Sequence, residues 1–294
     1  IVTRGINQGI ERSSLIFMPL LLIMLVFLAI TSVSLPNSTE GLYFYLAPDF
    51  SKINSEMILY ALGQAFFSLC IGEGVLMTYG SYANKSENLV QSTFSIAFFD
   101  TFVAFLSGFI IFPALFSFGY STDQNSELIF QVMPRIFQEL YLGTYLQIAF
   151  FLCLCFAALT TCISLLEVVV NYLTESYKLK RRHALLATIG CSFVISTPIA
   201  LSKGAVSLLS HLKLPFLKLE GLYEIVDIIW GNFFMLISGL VTAVFCGWLM
   251  GSKKAIMEIN EGAPGFLRWS FVWIFSLRFV CSLSIICLIL GLWM

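Results

Sequence analysis

The chain has 294 residues, of which 59% are hydrophobic and 11% charged, with 29 phenylalanines and a formal net charge of −1. Charged residues make up roughly a quarter of an ordinary soluble domain, so a mean hydropathy of +0.91 excludes a soluble globular protein and points to a membrane-embedded bundle. The near-neutral charge, with its basic residues in short connections, argues against a nucleic-acid partner.

A membrane-spanning helix needs about 20 mostly apolar residues, and by that measure the sequence predicts seven spans. They run near 14–35, 56–82, 89–119, 143–174, 183–202, 222–250 and 267–292. The second span contains Ser-Leu-Cys-Ile-Gly-Glu-Gly, residues 68–74, where a helix would need unbroken hydrogen bonding. Gly72 and Gly74 each weaken a helix by about 1 kcal/mol relative to alanine and let the backbone leave helical geometry. Freed backbone groups are tolerated at membrane depth only where protein or an aqueous cavity satisfies them, and a broken helix offers ion sites at its half-helix ends. Glycines that simply allow close helix packing are the alternative.

Other polar residues interrupt the spans. Gln64, Ser68 and Glu73 fall in the second, Asp100 in the third, Thr160, Thr161, Ser164 and Glu167 in the fourth, and Asp227 at the end of the sixth. An ionisable group at the bilayer centre costs at least about 2.5–3.5 kcal/mol, so it normally faces a partner or a cavity. In "FAALTTCISLLE" Thr160 and Thr161 are adjacent, Ser164 lies four residues beyond Thr160 and Ala157 one turn before Thr161; hydroxyl oxygens plus a backbone carbonyl are suitable hard ligands for a small cation, and bonding back to their own helix is the other reading. The eight cysteines lie in apolar runs without zinc or disulfide spacing, and they are expected to be small packing residues. His183 and His211 sit in polar connections.

Alternate connections, beginning with the N-terminal one, hold ten lysines and arginines against five in the intervening set. The positive-inside bias therefore places the N-terminal end in the cytoplasm and the C-terminus outside. Two of the outer connections, "GLYFYLAPDFSKI" and "NSELIFQVMPRIFQEL", read either as lid-like segments on a bundle mouth or as plain surface helices. The first residue is Ile1, within neither an initiator-methionine region nor a signal peptide, so the expectation is that the chain starts in mid-protein. There is no HExxH, no GxSxG and no Ser/His pairing at membrane depth, so an enzyme is not expected.

Together these motifs resemble the neurotransmitter:sodium symporter family in its bacterial amino-acid-transporter form. The resemblance runs through "RGINQGIERSSLIFMP", "GLYFYLAPDFSKI", "LGQAFFSLCIGEGVLMTYGSY", "DTFVAFLSGFIIFPALFSFG", "FAALTTCISLLEVVVNYL" and "WGNFFMLISGLVTAVFCGW". It implies an all-α membrane protein: seven transmembrane helices of an inverted-repeat transporter fold, the second broken near the midplane, forming one transporter domain over 1–294 that lacks the first four family helices. It implies sodium-coupled symport of an amino acid or related zwitterion by alternating access in an inner membrane. The alternative is a truncated or split-gene fragment that needs a partner carrying the missing helices, or a homo-oligomer.

The resemblance also assigns roles. Phe67 becomes an aromatic gate above the substrate; Ser68 and Asp100 belong to a first sodium site; Ala157, Thr160 and Thr161 form a second. Phe67, Ser68, Cys70, Glu73, Thr161 and Leu165 border the substrate. Asp227 is the acidic half of the external gate, and Glu175 that of the internal gate, capped by Tyr82. Sodium is the expected coupling ion, with no organic cofactor. A carboxylate at Asp100, where chloride-dependent members carry asparagine, implies that chloride is not required. The family usually places an apolar or aromatic residue where Glu73 stands, so Glu73 is expected either to contact a polar or cationic substrate side chain or to lie protonated in the pocket wall. Glu167 is expected to be a buried hydrogen-bonding residue.

Overall fold

A computed structural model describes residues 1–120, 130, 133–138, 140, 142–214 and 219–292. Contacts divide the chain into two compact units, Ile1–Ile53 with Ile96–Ser164, and Asn54–Ser95 with Leu165–Met294. Six helices among the described residues are long and apolar enough to cross a membrane: Gly9–Val33, Leu89–Ser117, Gly143–Ser176, Arg181–Leu201, Leu222–Leu249 and Phe266–Gly291. Each presents large apolar side chains outward; Phe193 and Val194 are both 71% exposed. In water such contiguous surface would be an aggregation liability. Against lipid it carries no penalty.

In the first unit, a 3₁₀ turn and a π-helical stretch, Ile6–Glu11, lead into α1, Arg12–Val33. Leu21, Leu25, Leu28, Ala29 and Ser32 recur at helical spacing and form its buried face. They meet Ile110, Ala114 and Leu115, and the Ser32 hydroxyl donates to the Ile110 carbonyl at 2.6 Å. The helix α2, Ser38–Leu46, comes from the aromatic connection predicted as lid-like or superficial. It docks on α5, Leu89–Ser117, through its rings: Tyr45 stacks on Phe112 at 4.9 Å and donates to the Phe105 carbonyl at 3.2 Å. Gly41 and Gly108 make this approach possible, since a Cβ on either would overlap the Phe112 carbonyl or the Tyr45 ring. The second patterned connection is described only in part. There α6, Met133–Gln138, buries Met133, Ile136 and Phe137, while 125–129, 131, 132 and 139 lie outside the described residues, as does Lys218. α7, Gly143–Ser176, completes this core with Leu146, Phe150 and Cys153.

The second unit holds α3, Ser55–Ser68, and α4, Val75–Tyr82, separated by the non-helical residues 69–74. The span predicted over 56–82 is therefore not one helix. α8 covers Arg181–Leu201; the short α9, Ser207–Ser210, precedes a two-stranded antiparallel pair, β1 (Lys213–Leu214) and β2 (Leu219–Glu220). A long helix follows, made of α10 (Leu222–Val226), π-helical Asp227–Phe234, α11 (Met235–Val244) and π-helical Phe245–Leu249. α12 spans Ser252–Gly262. The last long helix consists of a 3₁₀ turn, α13 (Ser270–Phe275), π-helical Ser276–Cys281 and α14 (Ser282–Gly291). Phe66 of α3, Met235, Leu236 and Ala243 of α11, and Ile285 and Leu288 of α14 form this unit's core.

Candidate functional site

The interruption between α3 and α4 is built by its own residues. After Ser68, the Ile71 N–H donates to the Phe66 carbonyl at 3.1 Å and the Cys70 N–H to the Phe67 carbonyl at 2.9 Å. This 6→1 and 5→2 pair closes the end of α3 as a Schellman motif, in which the residue past the cap is left-handed. Cys70 takes that position with φ 52° where glycine is usual. Ile71 packs on the Phe66 cluster, supplying the apolar contact that accompanies the motif. Gly72 follows at φ 94° and Gly74 at φ 81°. Gly72 is required twice over, because a Cβ there would also run into the Met235 carbonyl of α11. Gly74 lies beside α7, where an added Cβ would stand 3.2 Å from Val168 Cγ1. No hydrogen bond from a described residue reaches the carbonyls of Leu69, Ile71, Gly72 or Glu73.

Phe67 is exposed, while Ser68, Cys70 and Glu73 are half-buried, and all four sit on this turn or the helix end leading into it. Leu69–Gly72 and Gly74 line an apolar cavity of about 470 Å³ in the second unit, walled also by α11 and the last long helix. Glu73 is the one residue of 69–74 that does not line it.

In the first unit, Ala157, Thr160 and Thr161 converge on one carbonyl. Thr160 Oγ1 donates to Ala157 O at 2.8 Å and Thr161 Oγ1 to the same oxygen at 3.1 Å. These hydroxyls bond back to their own helix, as one of the two readings made from the sequence expected. Asp100 is half-buried on α5 of the same unit. Leu165 is exposed on α7, in the second unit. Among the described residues no group of three or more His, Cys, Asp or Glu side chains gathers to hold a metal.

The residues that the resemblance places at gates fare differently. Asp227 is exposed at the start of its π-helical stretch, where the Asn232 amide donates to its carbonyl at 3.1 Å. Glu175 is exposed near the end of α7, and among the described residues no ion pair includes either acid. The Tyr82 hydroxyl turns not to Glu175 but to Asn171 Oδ1 at 2.6 Å and Glu167 Oε1 at 3.3 Å. Glu167 is fully buried, and its other oxygen is paired with the guanidinium of Arg181, the first residue of α8. It is therefore half of an ion pair rather than only a hydrogen-bonding residue. Sequence reasoning placed Arg181 among solvated loop cations and missed Asn171. The available signal was physical: a carboxylate in an apolar helix needs a cation, and "KLKRR" lies a helix end away.

Compared with known proteins, the profile of the "Sodium:neurotransmitter symporter family" matches residues 1–292. The chain is 33% identical over 292 residues to the uncharacterized sodium-dependent transporter YhdH of Bacillus subtilis, covering 99% of this chain and 63% of that protein. It is 36% identical over 287 residues to an uncharacterized sodium-dependent transporter of Haemophilus influenzae, covering 97% of this chain and 61% of that protein. The crystal structure of MhsT in complex with L-phenylalanine superposes with a TM-score of 0.86 at 36% identity, over 99% of this chain and 65% of that one. The chain thus spans less than two-thirds of the length of these relatives.

Proposed function

The chain belongs to the Sodium:neurotransmitter symporter family, and from that premise we propose that the whole protein containing it is a carrier, not an enzyme. It moves an amino acid or related small zwitterion on a sodium gradient by alternating access. The observation that carries this reading is the turn at 69–74, which ends one helix and starts another with four backbone carbonyls left open. Open carbonyls and hydroxyls are ligands for an alkali ion, and half-helix termini suit a zwitterion.

In this reading α3 and α4 together make a seventh crossing beside the six long helices, broken near the midplane. Ser68 and Asp100 serve a first sodium ion; the Ala157 carbonyl and the Thr160 and Thr161 hydroxyls serve a second. Phe67, Ser68, Cys70, Glu73, Thr161 and Leu165 border the substrate, with Phe67, Tyr82, Glu175 and Asp227 at the gates. An odd number of crossings and the ten-to-five distribution of basic residues support a cytoplasmic N-terminal end in an inner membrane. The Asp100 carboxylate supplies the negative charge that makes chloride unnecessary.

The test is uptake of labelled amino acids into proteoliposomes of the whole protein, comparing imposed sodium and proton gradients, and chloride with gluconate. Sodium-driven uptake indifferent to gluconate is expected; uptake driven only by protons overturns the coupling, and collapse in gluconate overturns chloride independence.

A further inference from the structure

We infer that Glu73 selects substrates with a cationic side chain, such as lysine, arginine or ornithine. This rests on the transport reading above and names the substrate class of the same site.

The argument begins with charge. Glu73 is half-buried in the turn between α3 and α4, flanked by two glycines in the left-handed region. Its own N–H donates to the Cys70 carbonyl at 3.4 Å, which fixes the backbone but leaves the carboxylate unused. The ion pairs recorded in this unit join other residues: Arg181 with Glu167, Lys203 with Glu224, His211 and Lys213 with Glu220. Arg278 donates to the Gly247 carbonyl and the Ser252 hydroxyl. No cation among the described residues pairs with Glu73. A carboxylate at membrane depth is retained where it meets a partner or a water-filled path.

Chemistry narrows the partner. The open carbonyls of Leu69, Ile71 and Gly72 are neutral oxygens, the ligand type an alkali ion takes. Glu73 adds an acidic side chain that does not line the neighbouring apolar cavity. The ammonium and carboxylate of a bound amino acid cancel each other, so a neutral substrate brings no net charge of its own to Glu73. A lysine-like side chain neutralises it with a charge-assisted hydrogen bond. A site that holds such a charge discriminates strongly against ligands that leave it unpaired.

The experiment is sodium-driven uptake of labelled lysine and leucine by the whole protein in proteoliposomes, with the wild type, Glu73→Gln and Glu73→Asp. Wild-type uptake of lysine, or its competition against leucine, is expected. Glu73→Gln should shift the ratio of the two KM values toward leucine by roughly 30-fold or more, the loss typical of a buried charge pair. Glu73→Asp should restore part of the shift. Sodium-driven leucine uptake that lysine neither shares nor inhibits would overturn this inference and leave the transport reading intact. An unchanged KM ratio in Glu73→Gln would do the same. If the Gln variant fails to fold, the wild-type competition still decides. Absence of sodium-driven uptake of any amino acid would overturn both.

Discussion

Replacing Gly72 by alanine tests whether the turn is held by backbone contact. At φ 94° a Cβ costs about 1–2 kcal/mol, because an L-residue there crowds its own carbonyl. The methyl group would also run into the Met235 carbonyl and stand 3.1 Å from the Gly239 amide nitrogen, both backbone atoms that no rotamer change can move. Separating the turn from α11 is an overpacking cost of about 1–3 kcal/mol. Gly72→Ala should therefore destabilise the protein by about 2–5 kcal/mol. Gly74→Ala shares the backbone strain, at φ 81°, but its nearest neighbour is a Val168 methyl group 3.2 Å away. That group can yield, so only about 1–2 kcal/mol is expected. Gly190→Ala, in the middle of α8 with nothing within 4 Å of the new methyl group, should be neutral or stabilising by up to about 1 kcal/mol. Denaturant unfolding in mixed micelles would rank the three. Gly72→Ala falling within about 0.5 kcal/mol of Gly74→Ala would refute the claim that contact with α11, rather than chain conformation alone, sets the cost.

Arg181→Gln strands the fully buried Glu167 carboxylate and should cost about 3–5 kcal/mol in the same assay, with Glu167→Gln in addition recovering much of it. Arg278→Leu removes donors to the Gly247 carbonyl at 2.7 Å and the Ser252 hydroxyl at 3.1 Å, and a guanidinium 5.8 Å from the Trp248 ring. About 2 kcal/mol should be lost, and Arg278→Lys should recover less than half, since an ammonium cannot span both acceptors. The Glu220 carboxyl is held below its usual range, first by its hydrogen bond with His211 and then by Lys213. Its stabilising contribution is present above the ordinary carboxylate pKa and lost as pH falls through the depressed one. Carbon-13 NMR titration should show this low midpoint, rising in His211→Ala and further when Lys213→Ala is added.

The long elements were legible because their ends follow abrupt changes in polarity. The predicted spans 89–119, 143–174 and 183–202 end within two residues of Leu89–Ser117, Gly143–Ser176 and Arg181–Leu201. The interruption was legible for a local reason as well, since two glycines bracket Glu73. What escaped the sequence depends on neighbours far along the chain. The docking of α2 needs Gly108, more than 60 residues from Gly41 and Tyr45. π-Helical Ser276–Cys281 carries Arg278, whose acceptor is the carbonyl of Gly247 in another such stretch. Glu167 was recognised as buried but not as ion-paired, because choosing among Lys178, Lys180, Arg181 and Arg182 requires the angle between α7 and α8. Arg181 wins by standing at the first position of α8 with its side chain only 27% exposed.

The sequence suggested that peptide oxygens freed where the second span breaks would be satisfied by protein or an aqueous cavity, with ion sites at the half-helix ends. The structure divides those oxygens into two sets. The carbonyls of Phe66, Phe67 and Cys70 accept backbone N–H groups of the turn itself, from Ile71, Cys70 and Glu73. Apolar packing of Ile71 and the approach of Gly72 to α11 add to these bonds. Only Leu69, Ile71, Gly72 and Glu73 keep carbonyls that no described donor reaches. These four are the oxygens that the proposed carrier would offer to a sodium ion. The conformational strain of three left-handed residues, Cys70, Gly72 and Gly74, is offset by these hydrogen bonds and contacts.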